Sequence, residues 1–252
     1  MANLRLTHTL LAFALLAASC SQEEVGPRDA QKGRIEFSAS LPEVTSRATE
    51  VTKSSLNDIT VSSFIVGPSS ETPYFLAKTF SRNATTGIFL SYDPQCIWPN
   101  NNDLIRFVAF APGCDEMRHA ASSSDMDFTL GISDDGDYKL SNVKINPNIA
   151  NHFDFVTAIG SGKLWDNDET PVDLKFHHQF SRIQLKAWSA SKSYNLEIAG
   201  VRLGGVATEA VFSFVAHPET DDASAAGVWE SVSRGIVEYI SRPGDRIVAI
   251  NN

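Results

Sequence analysis

From Arg34 to Leu41 every second residue is apolar: Ile35, Phe37, Ala39 and Leu41 alternate with polar or small neighbours. A period of two sends successive side chains to opposite faces of an extended chain, so the segment predicts a half-buried strand. The pattern returns in "DITVSSFIVG", less cleanly, around Ile59, Val61, Phe64 and Val66. It returns in "GIFLSY" and in "LIRFVAFAP", where Ile105, Phe107, Ala109 and Ala111 share one side. Seven later segments follow suit: "YKLSNVKI", "VDLKF", "SRIQLKAW", "YNLEIAGVRLG", "AVFSFVA", "GIVEYI" and "DRIVAI". Most are short and bounded by Gly, Pro, Asn, Asp or Ser. Strands of this length and spacing predict an all-β sandwich rather than alternating βαβ units. The best helical candidate, residues 148–160, fits no period and is expected to be a short turn or loop leading into an extended segment.

The N-terminus obeys a different rule. Leu10 to Ala18 are nine consecutive apolar residues, too few for the roughly 20 that cross a bilayer. With Arg5 before the run and Ala17, Ala18 and Ser19 closing it, residues 1–19 have the layout of an export signal. "AASC" then resembles a lipobox, in which Cys20 receives a diacylglycerol and becomes the new N-terminus. Leu16 stands four places before the cysteine, where the commoner pattern has leucine three before. Two or more acyl chains anchor a protein stably. Residues 20–33 hold almost no apolar content, include Gly and Pro, and read as a flexible tether. Fourteen residues reach roughly 50 Å at full extension. The acids Glu23 and Glu24 after the cysteine resemble the signal that moves lipoproteins of gut Bacteroidetes to the outer face of the outer membrane.

Composition narrows the partners. The formal charge is −9, which disfavours nucleic acid, whose phosphates call for a basic surface. Beyond Cys20 there are two cysteines, Cys96 and Cys114. In an oxidising compartment they form one disulfide or stay as buried thiols, and spacing does not choose between these. The best internal boundary is the polar, Gly-containing stretch 160–171. It sets a first domain at 34–168 and a second at 169–252.

Four segments carry a family resemblance: "CIWPNNNDLIRFVAFAP" (96–112), "HFDFVTAIGSG" (152–162), "VDLKFHHQFSRIQLKAW" (172–188) and "YNLEIAGVRLGGV" (194–206). In this order, behind a lipobox, they resemble the fimbrillin-like lipoproteins of Bacteroidetes, subunits of surface fimbriae. The resemblance implies two tandem transthyretin-like Greek-key β-sandwiches. It implies a structural or adhesive subunit at the cell surface, lipid-anchored in the outer membrane and joined to other fimbrial subunits by strand addition. A host receptor or glycan is a further implied partner. It implies no enzyme and no cofactor. In some members of the family, cleavage after an N-terminal arginine releases the leading strand and opens a groove for a strand of the next subunit. Arg47, in a polar Ser/Thr-rich stretch, is the first candidate here and Arg34 the second. From Val172 onward there are six strand candidates, around Leu174, Leu185, Ile198, Phe212, Val237 and Val248. A Greek-key sandwich uses about seven, so the second sandwich is expected to be incomplete, through truncation or to be filled by a partner's strand.

Other chemistry finds little support. Adjacent His177 and His178 point to opposite faces of a strand, which suits one metal site badly. If the strand bends at Gln179, its register resets there. "SDDGDYK" (133–139) and "WDNDET" (165–170) offer carboxylates without a full calcium loop. No G-x-S-x-G elbow, P-loop or G-x-G-x-x-G is present. A glycan-binding surface lipoprotein serving a nutrient importer is the alternative. It would need an exposed aromatic platform, and Trp98, Trp165, Trp188 and Trp229 are scattered in sequence.

Overall fold

An eight-stranded sheet organises the molecule. The computed structural model describes residues 33–41, 55–113, 130–132, 138–145, 152–182, 201–214, 227–233, 239–241 and 248–250. Among these the strands are β1 (Phe37–Ser40), β2 (Asp58–Val66), β3 (Glu71–Arg82), β4 (Phe89–Leu90), β5 (Ile105–Ala111), β6 (Leu130–Ile132), β7 (Tyr138–Lys144), β8 (Val156–Gly162), β9 (Val172–Lys175), β10 (His177–His178), β11 (Phe180–Arg182), β12 (Val201–Leu203), β13 (Glu209–Phe214), β14 (Val228–Ser233), β15 (Tyr239–Ser241) and β16 (Val248–Ile250). The helix among them is one turn, α1 (Leu164–Asn167). The large sheet runs β10-β8-β5-β2-β3-β4-β1-β9, and a four-stranded sheet runs β14-β13-β7-β6. Two short pairs, β11–β16 and β12–β15, complete the pairings. The expected all-β, sandwich-like architecture is what the chain adopts. No helix among the described residues is long and apolar enough to cross a membrane.

Both faces of the large sheet are covered at β2, β5 and β8, and that explains the burial along these central strands. In β5, Ile105, Phe107, Ala109 and Ala111 enter one core while Val108 and Phe110 enter the other. Strands buried on two faces tend to near-continuous apolar runs, as β5 shows, while β2 and β8 bury consecutive residues that include Thr and Ser. The inner core lies between β8-β5-β2 and the returning strands β1 and β9, as the sheet curls on itself. A Cβ on Gly160 would sit 2.8 Å from Leu174 Cδ2, so only glycine allows β8 and β9 to pass this close. The outer core lies on the opposite face of β2, β5 and β8 and is closed by β7, β13 and β14.

The longest strand, β3, is absent from the expected strands. Its buried side chains, Phe75 and Phe80, stand five apart rather than two or four, because the pairing with β2 shifts register twice near Val61–Phe64. Ala77, at φ 50°, turns the chain there. The amides freed by the bulge are caught by β2 hydroxyls: Phe75 N–H donates to Ser63 Oγ at 3.2 Å and Ala77 N–H to Ser62 Oγ at 2.8 Å. This accounts for two serines, both fully buried, in a core strand. The segment read as a turn leading into an extended stretch does lead into one, β8. Of the expected strands around Leu185, Ile198 and Val237, only the ends within β11, β12 and β15 are among the described residues, and their centres lie outside them.

Strand pairing crosses the boundary expected at 168/169 in both directions. β9 and β10 lie after it, yet they join the sheet of β1 to β5 and β8, while β7 lies before it and pairs with β13. At Gln179 the strand pairing changes partner. β10 pairs with β8 and ends at His178, and β11 opens a different pair with β16. Gln179 ties this corner together. Its N–H donates to Phe155 O at 2.8 Å, its Nε2 to Thr157 Oγ1 at 2.8 Å, and its carbonyl accepts from Trp229 Nε1 at 3.0 Å.

Candidate functional site

The leading strand is held in an unusual way. β1 lies between β4, antiparallel, and β9, parallel, and every other ladder among the described residues is antiparallel. Its alternation drives Ile35, Phe37 and Ala39 into the inner core, all at most 8% exposed. The Phe37 ring meets Phe80 and Phe107 edge-on, with centroids 4.9 and 5.0 Å away. Val172 N–H donates to Glu36 O at 2.9 Å, Phe176 N–H to Ser40 O at 2.8 Å, and Ser38 Oγ to Asp173 Oδ1 at 3.0 Å. Burying side chains the size of Ile and Phe contributes about 1.5–3 kcal/mol each, so Ile35 and Phe37 are the main hold on this strand. Taking β1 away would leave a trench lined by Phe80, Phe89, Phe107, Val172 and Leu174.

Of the sequence-predicted processing sites, Arg34 falls on this strand's entry and Arg47 lies outside the described residues, as does Cys20. Arg34 bridges Ile97, its Nη1 donates to Ser91 O at 3.4 Å, and its guanidinium lies 5.5 Å from the Tyr92 ring centroid. Trp98 N–H donates to Gly33 O at 2.7 Å and Ile35 N–H to Cys96 O at 3.2 Å. A protease would have to strip these contacts to reach Arg34. Burial pushes the Glu36 carboxyl above the usual carboxylate range, and the positive charge of Arg34 partly offsets it. Cys96 is a buried free thiol whose pKa burial raises, while Cys114 lies outside the described residues.

A second surface surrounds α1. Its N-cap position, Lys163, makes no side-chain cap. Instead Asn167 Oδ1 accepts Lys163 N–H at 3.2 Å and Asn167 Nδ2 donates to Thr170 O at 3.1 Å. The turn is also tied to the loop before β5, where Trp165 N–H donates to Asn102 Oδ1 at 2.9 Å. Asn102 itself sits at φ 54°, a left-handed conformation that asparagine tolerates. Beneath the turn, a Cβ on Gly162 would meet Asn167 Oδ1 at 2.7 Å and Trp98 Cη2 at 2.9 Å, and Leu164 of α1 packs against the inner core. Trp165 is left 79% exposed. The scatter of tryptophans in sequence gave no hint of this, since exposure depends on which face the turn presents.

The remaining candidates are structural. His178 Nδ1 lies 2.8 Å from Asp154 Oδ2, and both histidines of β10 are half-buried. Among the described residues no three His, Cys, Asp or Glu side chains come together as a metal site. Asp166, Asp168 and Glu169 are exposed on and after α1, and residues 133–137 of the other acidic turn lie outside the described set.

Comparison with known proteins gives one match in sequence. The profile of the fimbrillin-like family matches residues 46–239, and no curated protein matches the sequence. Among solved structures, a fimbrial protein of Bacteroides vulgatus is similar at 17% identity and a TM-score of 0.48, over 81% of this chain and 64% of that one. A candidate cell adhesion protein of Bacteroides ovatus is similar at 16% identity and a TM-score of 0.45, over 87% and 78%. One of Bacteroides uniformis is similar at 12% identity and a TM-score of 0.44, over 86% and 74%.

Proposed function

This chain belongs to the fimbrillin-like family, a fimbrial or adhesion subunit of the cell surface, and from that premise we propose that it joins its neighbours by exchange of the leading strand. The observation that carries the reading is the seat of β1. It is the first strand of the described chain, and its longest ladder is the parallel one to β9, formed across about 135 residues. Contacts this distant in sequence repay their loop-closure cost last. On one side β1 is covered by the edge strand β9 alone, so parting that parallel ladder would open the sheet there. An extended segment of another subunit could then fill the vacated trench, taking backbone hydrogen bonds from β4 and β9 and pockets from Phe80, Phe107 and Leu174.

The position of the arginines selects between them. Cleavage after Arg34 leaves β1 covalently joined to the body. Cleavage after Arg47 frees the whole strand with its flanking residues. Arg47 is therefore the processing site of this proposal. Upstream, Cys20 carries the lipid that retains the immature subunit at the outer membrane; equal labelling of wild type and Cys20→Ala by a tagged fatty acid would refute that step. Nothing in this role requires catalysis or a cofactor.

The test of strand exchange uses the full chain and a trypsin-like protease. Treated protein should form multimers resistant to mild detergent, and Arg47→Ala should abolish them while Arg34→Ala leaves them intact. Cleavage at Arg47 without multimers, from this subunit alone or with neighbouring fimbrial subunits added, would overturn the proposal.

A further inference from the structure

We propose that Trp165 is a stacking platform for a neutral saccharide, an inference that rests on the adhesive reading and names its ligand class. An indole is among the largest apolar groups a protein can bury, and this one is 79% exposed. It does not sit on a loose loop. The one-turn helix that carries it is fastened to Asn102, Lys163 and Thr170 by hydrogen bonds, and its Leu164 packs against the inner core. A side chain held exposed on a fixed support is pre-organised, so little ordering cost remains when a ligand arrives.

The surroundings choose the class. Asn100 and Asn101 on the adjoining loop, and Asp166, Asp168 and Glu169 on and after the turn, are exposed. Asn101 Nδ2 already donates to Asp103 Oδ2 at 2.6 Å, which orients that amide. An aromatic face presents an apolar surface to the C–H side of a sugar ring, while amides and carboxylates match its hydroxyls. The carboxylates would repel phosphate, sulfate or sialic acid, so the expected ligand is uncharged. A protein partner fits less well. Interface tryptophans act within an apolar patch that excludes water. Of the other exposed large apolar side chains, Leu76 and Val228 lie on neither α1 nor the loop before β5, and Tyr92 and Ile97 of that loop are engaged at the entry of the leading strand, Tyr92 beneath the Arg34 guanidinium and Ile97 bridging Arg34. Tyr92, exposed to a similar degree, makes an instructive contrast: its ring already faces the Arg34 guanidinium.

The experiment titrates the full chain, in detergent, with neutral polysaccharides (mannan, galactan, xylan) and with neutral mucin oligosaccharides, following retention on immobilised glycan and tryptophan fluorescence. At least one should bind. Trp165→Ala should weaken that binding by about tenfold or more, and Trp165→Phe, which keeps a ring, by about threefold or less. Both variants should unfold at the wild-type midpoint and still form protease-triggered multimers. Failure of every neutral glycan to bind at millimolar concentration, or equal binding by Trp165→Ala, would overturn the inference while leaving strand exchange standing. Loss of multimers in Trp165→Ala would overturn it too, by identifying the indole as a subunit contact.

Discussion

The two cores share the central strands but are assembled differently. The inner core is aliphatic and aromatic in mixture, and every buried member lies between Ile35 and Phe176. A single curling sheet encloses it. The outer core is dominated by rings. Phe155 alone faces Phe110, Phe180, Phe212 and Trp229 at centroid distances from 5.3 to 6.2 Å, and Phe180 stacks on Trp229 at 5.4 Å. Its members run from Phe64 to Trp229, and its lid, β13 with β14, comes from late in the chain. One core is thus a sheet closing on itself, and the other is that sheet's back covered by a second layer. Because β2, β5 and β8 serve both, damage to either should be felt by the other.

Truncating a central ring gives the largest effect. Phe155→Ala in the outer core and Phe37→Ala in the inner should each cost about 3–5 kcal/mol. Trp98 reports on the inner core and Trp229 on the outer, so urea unfolding in backgrounds with the other tryptophans changed to Phe separates the two. Shared strands predict coincident transitions for both probes in wild type and in each variant. A Phe155→Ala protein whose Trp98 transition stays at the wild-type midpoint would break the comparison.

A smaller effect is expected at Gly162. There an added methyl would also reach Val172 Cγ2 at 3.0 Å, beside the contacts with Asn167 and Trp98. Gly162→Ala should cost about 1–3 kcal/mol by overpacking, with Gly204→Ala, which meets nothing within 4 Å, as the control. Equal thermal midpoints for the two would show that α1 is not seated on the inner core.

The smallest effect is electrostatic and confined to the inner core's rim. A hydrogen bond from Lys78 Nζ, 2.6 Å away, and the backbone N–H of Gln95 hold the Asp93 carboxyl below the usual carboxylate range. A depressed folded pKa stabilises above the unfolded value, and that stability is lost as pH falls through the folded one. Glu36, raised by burial, works the other way and eases as acid protonates it. Asp93→Asn should therefore flatten the acid limb of a stability–pH curve measured by denaturant midpoint. An unchanged limb would remove Asp93 from the account.

Legibility in the sequence followed burial on one face. β1 and β9 bury alternate residues and announce themselves by period two. β8 buries Val156, Thr157 and Ala158 in succession, so no period survives to be read. β3 hides behind its bulge, and β14 sets buried Trp229 beside Val228, which is 57% exposed. The Arg34 contacts with Ser91 and Tyr92, and the fixing of Trp165 through Asn102, join residues more than fifty apart. No local pattern encodes them.

The amino-acid pattern by itself determined that the chain is all-β, because alternation is a property of single strands and needs no partner. It likewise marked the apolar face of the leading strand. Which strands are neighbours was decided only in three dimensions. β1 lies beside β9, and β7 beside β13, across the polar stretch that looked like a boundary, because a curled sheet can bury both faces only if late strands return to cover early ones. Exposure of Trp165 was decided the same way: Asn102 and Asn167 fix the turn by hydrogen bonds and Leu164 packs inward, which leaves the indole facing solvent while Trp98 is buried.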